Sequence, residues 1–122
     1  MTRFNLHYDS PDFDSALIFY RDTLGWPVKR QFDEHGRRGV VFAVNDAFEL
    51  EFFGQVEDEP QRIPVPGSIR LKVYVDDVDA EYARLVDAGV AVIDPIADRT
   101  WGERTFGIRS VDGLIIHFCM EM

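Results

Sequence analysis

Side chains able to hold an ion or move a proton recur at alternate positions of four short apolar segments. They are His7 in RFNLHYD, Glu49 and Glu51 in AFELEFF, Arg70 and Lys72 in SIRLKVYVDD, and His117 in TWGERTFGIRSVDGLIIHFCMEM. A period of two puts the apolar residues on one face of a strand and the polar ones on the other. Histidine with carboxylate is the equipment of proton transfer or metal ligation. Arginine binds anions, and the ring of Trp101 offers a flat surface for stacking. Each residue also has a plainer reading. His117 would then be a structural histidine hydrogen-bonded within its sheet, and Trp101 would cover a cavity mouth or a subunit seam. Glu49 and Glu51 would form an ion-pair network with Arg70 and Lys72, because buried carboxylates need partners.

Other groups carry less. Arg104 and Arg109 are an odd number of residues apart, so a regular strand turns at most one of them toward a cavity. Asp112 and Gly113 read as turn chemistry. Cys119 shares the parity of His117, and nothing in its surroundings points to a lowered thiol pKa. The chain has no glycine-rich phosphate loop, no HExxH pair and no Ser/His/Asp set legible from spacing.

These residues sit in a chain of 122 residues, the size of one domain. Hydrophobic residues make up 46% and charged residues 29%, an ordinary globular composition, and ten phenylalanines supply rings for a core or an apolar pocket. Thirteen basic against 22 acidic residues give a net charge of -9. That disfavours nucleic acid and anionic membrane surfaces, and it favours a cationic or neutral small ligand. The single cysteine permits no internal disulfide and fits a cytoplasmic location. No apolar run is long enough to span a membrane, and MTRFNLHYDSPDF lacks the layout of a signal peptide.

The elements that must position the polar residues come in a repeated order. RFNLHYD is a strand with Phe4, Leu6 and Tyr8 on its apolar face. FDSALIFYRDTLG is a helix whose Phe13, Ala16, Leu17, Tyr20 and Leu24 recur at helical spacing, ended by Gly25. Strands follow near 27–33, 38–44 and 47–53. The proline-rich, acidic GQVEDEPQRIPVPG then reads as a linker. Afterwards the order recurs: a strand with Ile69, Leu71, Val73 and Val75 on one face, and a helix with Val78, Tyr82, Leu85 and Val86 inward and Gly89 past its end. Strands near 90–93, 103–110 and 114–121 complete it, the last two joined by the turn SVDG. The chain is thus one domain of two tandem βαβββ modules, residues 1–54 and 67–122, joined by a linker at 55–66. Each sheet has a helix on one face and leaves its polar face to be covered by the other module, a second subunit or a ligand.

In this order, DFDSALIFYRDTLGW and WGERTFGIRSVDGLIIHF resemble the first helix and the final hairpin of the vicinal oxygen chelate superfamily. That family includes glyoxalase I, extradiol dioxygenases, and the fosfomycin and bleomycin resistance proteins. The resemblance implies an α+β fold of paired βαβββ modules whose mixed sheet curls around a cavity, often completed across a homodimer. Function does not follow from the fold alone.

The resemblance also implies where a metal would sit: on the first and last strand of each module. Those positions fall on Asn5, on Glu49 or (with a slip of two) Glu51, on Arg70, and on His117. An arginine there repels a divalent cation and supplies the carboxylates with a partner. A metal set is recovered only if His7 replaces Asn5, giving His7, Glu49 or Glu51, and His117, the 2-His-1-carboxylate pattern. The ending of the chain resembles the bleomycin-resistance branch more closely, whose members sequester a drug without metal. The resulting expectation is a homodimeric binder of a drug or metabolite, metal-free, lined by His7, Glu49, Glu51 and Arg70 together with Tyr74, Trp101 and His117. The alternatives are a divalent-metal lyase, isomerase or dioxygenase using His7, Glu49 and His117, and a metal-free enzyme with His117 or a glutamate as general base.

Overall fold

The computed structural model describes residues 3–34, 36–56 and 69–122. The chain divides into two compact units, Met1–Val65 and Pro66–Met122. From residue 57 onward, the expected linker lies outside the described residues.

In the first unit, β1 (Phe4–Asp9) leads to α1 (Phe13–Ile18), which continues as a π-helical turn over Phe19–Thr23. Strands β2 (Val28–Glu34), β3 (Arg37–Ala43) and β4 (Phe48–Phe53) follow. The sheet order is β1-β4-β3-β2, with β1 parallel to β4 and the other pairs antiparallel. The expected helix is real, but its second half is wound in the wider π form. Asp12 caps its start by accepting the Ser15 N–H at 3.2 Å. Its inward residues Phe13, Ala16, Leu17, Tyr20 and Leu24 are all buried. The Tyr20 ring packs on Phe42 and Phe52, with centroids 5.8 and 5.6 Å away. Phe4, assigned to the apolar face, is 65% exposed at the strand's outer end.

The second unit repeats the order with β5 (Arg70–Tyr74), α2 (Val78–Asp87), β6 (Val92–Asp98), β7 (Glu103–Arg109) and β8 (Ile115–Glu121). Its sheet runs β5-β8-β7-β6, with β5 parallel to β8. Asp77 caps α2 on the Ala80 N–H at 3.0 Å, and Gly89, at φ 79°, takes the left-handed turn that ends it. Val78 and Leu85 are buried and Tyr82 meets Phe106 edge-on at 5.0 Å, whereas Val86, expected inward, is 46% exposed. β6 runs well past the expected 90–93, through Pro95. Proline is tolerated there because β6 is an edge strand whose register shifts on both sides of Asp94.

The α+β class and the two βαβββ modules therefore hold. The sheets are two separate four-stranded mixed sheets, neither closed into a barrel.

Candidate functional site

Alternation along β5, β7 and β8 sorts the second sheet into two faces. Leu71, Val73, Phe106, Ile108, Ile116 and Phe118 point toward α2, and the last four are buried. The opposite face carries Arg70, Lys72, Glu103, Thr105, His117 and Cys119, which line a pocket of about 360 Å³ together with Trp101 and Asp94.

Glu103 organises one wall. It is buried, and three side chains donate to its carboxylate: Lys72 Nζ at 2.7 Å, Tyr74 Oη at 2.7 Å and Trp101 Nε1 at 2.8 Å. The Lys72 bond, then those of Tyr74 and Trp101, hold the Glu103 carboxyl below its ordinary range against the opposing effect of burial. Glu103 in turn raises the Lys72 ammonium, with the Tyr74 hydroxyl contributing next. Trp101 lies in the turn between β6 and β7 and is 66% exposed, so its indole is tied at the nitrogen while its faces stay open.

His117 forms the other wall. A Cβ on Gly107 would lie 3.0 Å from His117 Cε1 and 3.1 Å from Asp94 Cβ, so glycine at 107 is what lets the ring lie across β7. Burial lowers the His117 pKa. Asp94 opposes that shift, while Arg70, Arg99 and Lys72 add to it. The ring makes no protein hydrogen bond among the described residues, so the sheet-bonded structural histidine is not what the structure shows. Asp94 is bound by Arg99 at 3.1 Å. Burial also pushes the Cys119 thiol up, away from the reactive thiolate.

In the first unit, the polar face of β1 and β4 carries Asn5, His7, Glu49 and Glu51. Asn5 pairs with Glu49 and His7 with Glu51 across the strands. Asn5 Nδ2 donates to Glu51 at 3.2 Å and to Glu49 at 3.4 Å, and its Oδ1 lies 3.1 Å from His7 Nδ1. Glu49 is buried, ion-paired with Lys29, and 3.6 Å from Arg3. These contacts, Lys29 foremost, hold its carboxyl low. Within their own units, Glu49 takes Lys29 and Arg3, and Lys72 takes Glu103. His7 lines a hollow of about 600 Å³ in the first unit, beside Tyr8, Asp9, Arg37 and Phe53.

Both β1 and β5 end four residues before their helix begins, at Asp9 before Phe13 and at Tyr74 before Val78. Asn5 therefore corresponds to Arg70 and His7 to Lys72. Since His7 pairs with Glu51 and Lys72 with His117, Glu51 rather than Glu49 is the counterpart of His117.

Of the expected site residues, Arg70, Trp101 and His117 line one pocket, and Tyr74 braces its Glu103. His7, Glu49 and Glu51 belong to the other unit's sheet. Of the residues that could ligate a divalent metal, Glu49 is ion-paired with Lys29 and lies near Arg3, and His117 is acted on by Asp94 as well as by Arg70, Arg99 and Lys72. Among the described residues of either unit, no group of three His, Cys, Asp or Glu side chains is placed to hold an ion. Glu103 was missed because it lies beside a turn, where its face is hard to assign. Its shared parity with Thr105 and Gly107 was the available signal.

Comparison with known proteins agrees with this architecture. The family model of the Glyoxalase/Bleomycin resistance protein/Dioxygenase superfamily matches residues 8–118, and the chain belongs to that family. No curated protein sequence matches it. Among solved structures it is similar to TnmS3, an antibiotic binding protein from Streptomyces sp. CB03234, at 27% identity and TM-score 0.79, covering 100% of this chain and 97% of that one. It is also similar to SMU.1112c, at 23% identity and TM-score 0.80, covering 98% of each chain. A lactoylglutathione lyase from Agrobacterium tumefaciens shares the fold at 20% identity and TM-score 0.72, covering 96% of this chain and 91% of that one.

Proposed function

We propose that this protein holds a flat small organic molecule, a drug or a metabolite, in the pocket of its second sheet, without metal and without turning it over. One observation carries the reading. The pocket presents an indole fixed by a buried carboxylate and open on its faces, while its carboxylates are occupied by cations. Such a wall is preorganised for contact, and its cation-bound carboxylates are poor proton acceptors. A few placed polar groups in a concavity of this size are what a small-ligand site needs. The likeness to TnmS3, whose description names antibiotic binding, supports the same reading. A homodimer belongs to the proposal as well.

Naphthamide, flat and uncharged, is a suitable probe. A ligand held only by the folded state raises stability by about 2.7 kcal/mol at a hundredfold excess over its Kd. Thermal unfolding should therefore shift upward with naphthamide. Trp101→Ala, which removes the stacking surface, should weaken affinity by up to roughly tenfold. Equal affinity in that variant would remove Trp101 from the site.

A further inference from the structure

The charge of the pocket differs from the charge of the protein. Three cations, Arg70, Lys72 and Arg99, and one carboxylate, Asp94, act on His117. Lys72 is bound to Glu103 at 2.7 Å and Arg99 to Asp94 at 3.1 Å. Arg70 makes no ion pair or hydrogen bond among the described residues, although it lines the same pocket as Trp101 and His117. Arg70 lies opposite Ile115 on β8, and His117 is two residues further along that strand on the same face. A guanidinium and an imidazole, neither with a hydrogen-bond or ion-pair partner among the described residues, thus border the surface on which a flat ligand would stack.

We infer that the ligand is an aromatic or polycyclic acid whose carboxylate or phenolate is received by Arg70 and His117 while its ring system lies on Trp101. The inference rests on the second-sheet pocket being the binding site, as proposed above. It reverses the expectation drawn from net charge, under which an acidic protein would collect a cation. Paired charges inside the pocket contribute little net field, so Arg70, which has no ion pair among the described residues, decides its preference. The planar guanidinium matches a carboxylate in two parallel N–H···O bonds, and a neutral imidazole adds one N–H donor. Bonds to an ionised acceptor are stronger than those to an amide oxygen, which is the basis for discrimination. Arg70→Lys would keep the charge and lose the fork.

Calorimetric titration of the full chain with naphthoate, naphthamide and naphthylmethylammonium separates the possibilities. The three share one ring system and differ in charge. Naphthoate should bind about tenfold or more tighter than naphthamide, and the ammonium weakest of the three. Arg70→Gln should reduce naphthoate to the affinity of naphthamide and leave naphthamide unchanged. Arg70→Lys should fall between. Equal binding of acid and amide, or preference for the ammonium, would overturn the acidic ligand while leaving the pocket as a binding site. Failure of all three probes to bind would overturn the site itself, and the acidic ligand with it.

Discussion

His117 and Glu103 carry the pocket's opposing electrostatic demands, and they separate on the pH axis. Burial keeps the folded-state pKa of His117 below its ordinary value of about 6.5. Between that ordinary value and the lowered one, the unfolded chain binds more protons than the folded chain, so stability falls as pH falls through this window. Above it His117 binds protons alike in both states and its contribution to stability is constant. The charged groups acting on His117 are Arg70 and Lys72 from β5, Asp94 from β6, and Arg99. His117→Gln should abolish the slope, as followed by urea unfolding at stepped pH. Glu103 and Glu49 have lowered values, and the stability they contribute is lost only further into acid. A separate transition is therefore expected below the ordinary carboxylate range. Glu103→Ala should free the Trp101 indole and leave Lys72 without its counterion. The measurable consequences are a more mobile, red-shifted tryptophan emission and a lower Tm. Unchanged emission anisotropy would mean that the turn itself, and not Glu103, holds the ring.

The strands and helices place these groups by burying the other face of the same elements. Phe106 and Phe118 stack at 5.1 Å with 17° between planes, both buried against the α2 side of the sheet. Phe118→Ala should cost about 3–5 kcal/mol in chemical denaturation, the range for removing a buried ring. Asp77→Ala removes the α2 cap and should cost about 1 kcal/mol. At Gly107 the effect is local: an alanine methyl would press on His117 and Asp94, so Gly107→Ala should move the imidazole resonances of His117 and weaken ligand binding. Binding retained at wild-type strength would show that His117 has room to move. Much of this layout was legible beforehand. The alternations at Leu71/Val73 and Leu50/Phe52 reported their faces because each strand turns its apolar side chains to one side. The π-helical half of the first helix was not legible, since its apolar spacing also fits an α-helix. The length of β6 was hidden by Pro95, which ends an interior strand but not an edge strand. Val86 appeared inward because helical spacing gives the width of an apolar stripe only approximately.

At the scale of the whole molecule, family membership was legible because motif order, chain length and the repeat agree. The candidate site was legible only in part. Arg70, Trp101 and His117 were identified and lie on one pocket. The pairs of Lys72 with Glu103 and of Lys29 with Glu49 were not legible, because alternation gives the face of a side chain and not its neighbour. Net charge was equally uninformative about the pocket, since a total of -9 does not report which cations remain unpaired. No helix among the described residues is long and apolar enough to cross a membrane. The proposed homodimer predicts a sedimentation mass near twice 14.1 kDa at micromolar concentration; a mass of one chain would remove the dimer and leave the pocket in place. The central claim is binding of a small organic molecule without metal. It is tested most directly by titrating naphthoate calorimetrically into protein stripped with chelator, then repeating the titration after adding nickel, iron(II), manganese or zinc. Equal affinity in all of these conditions is expected. Binding that disappears with chelator and returns with stoichiometric metal, and that fails in His117→Ala, would contradict the claim and make the metal-dependent chemistry of the family the better description.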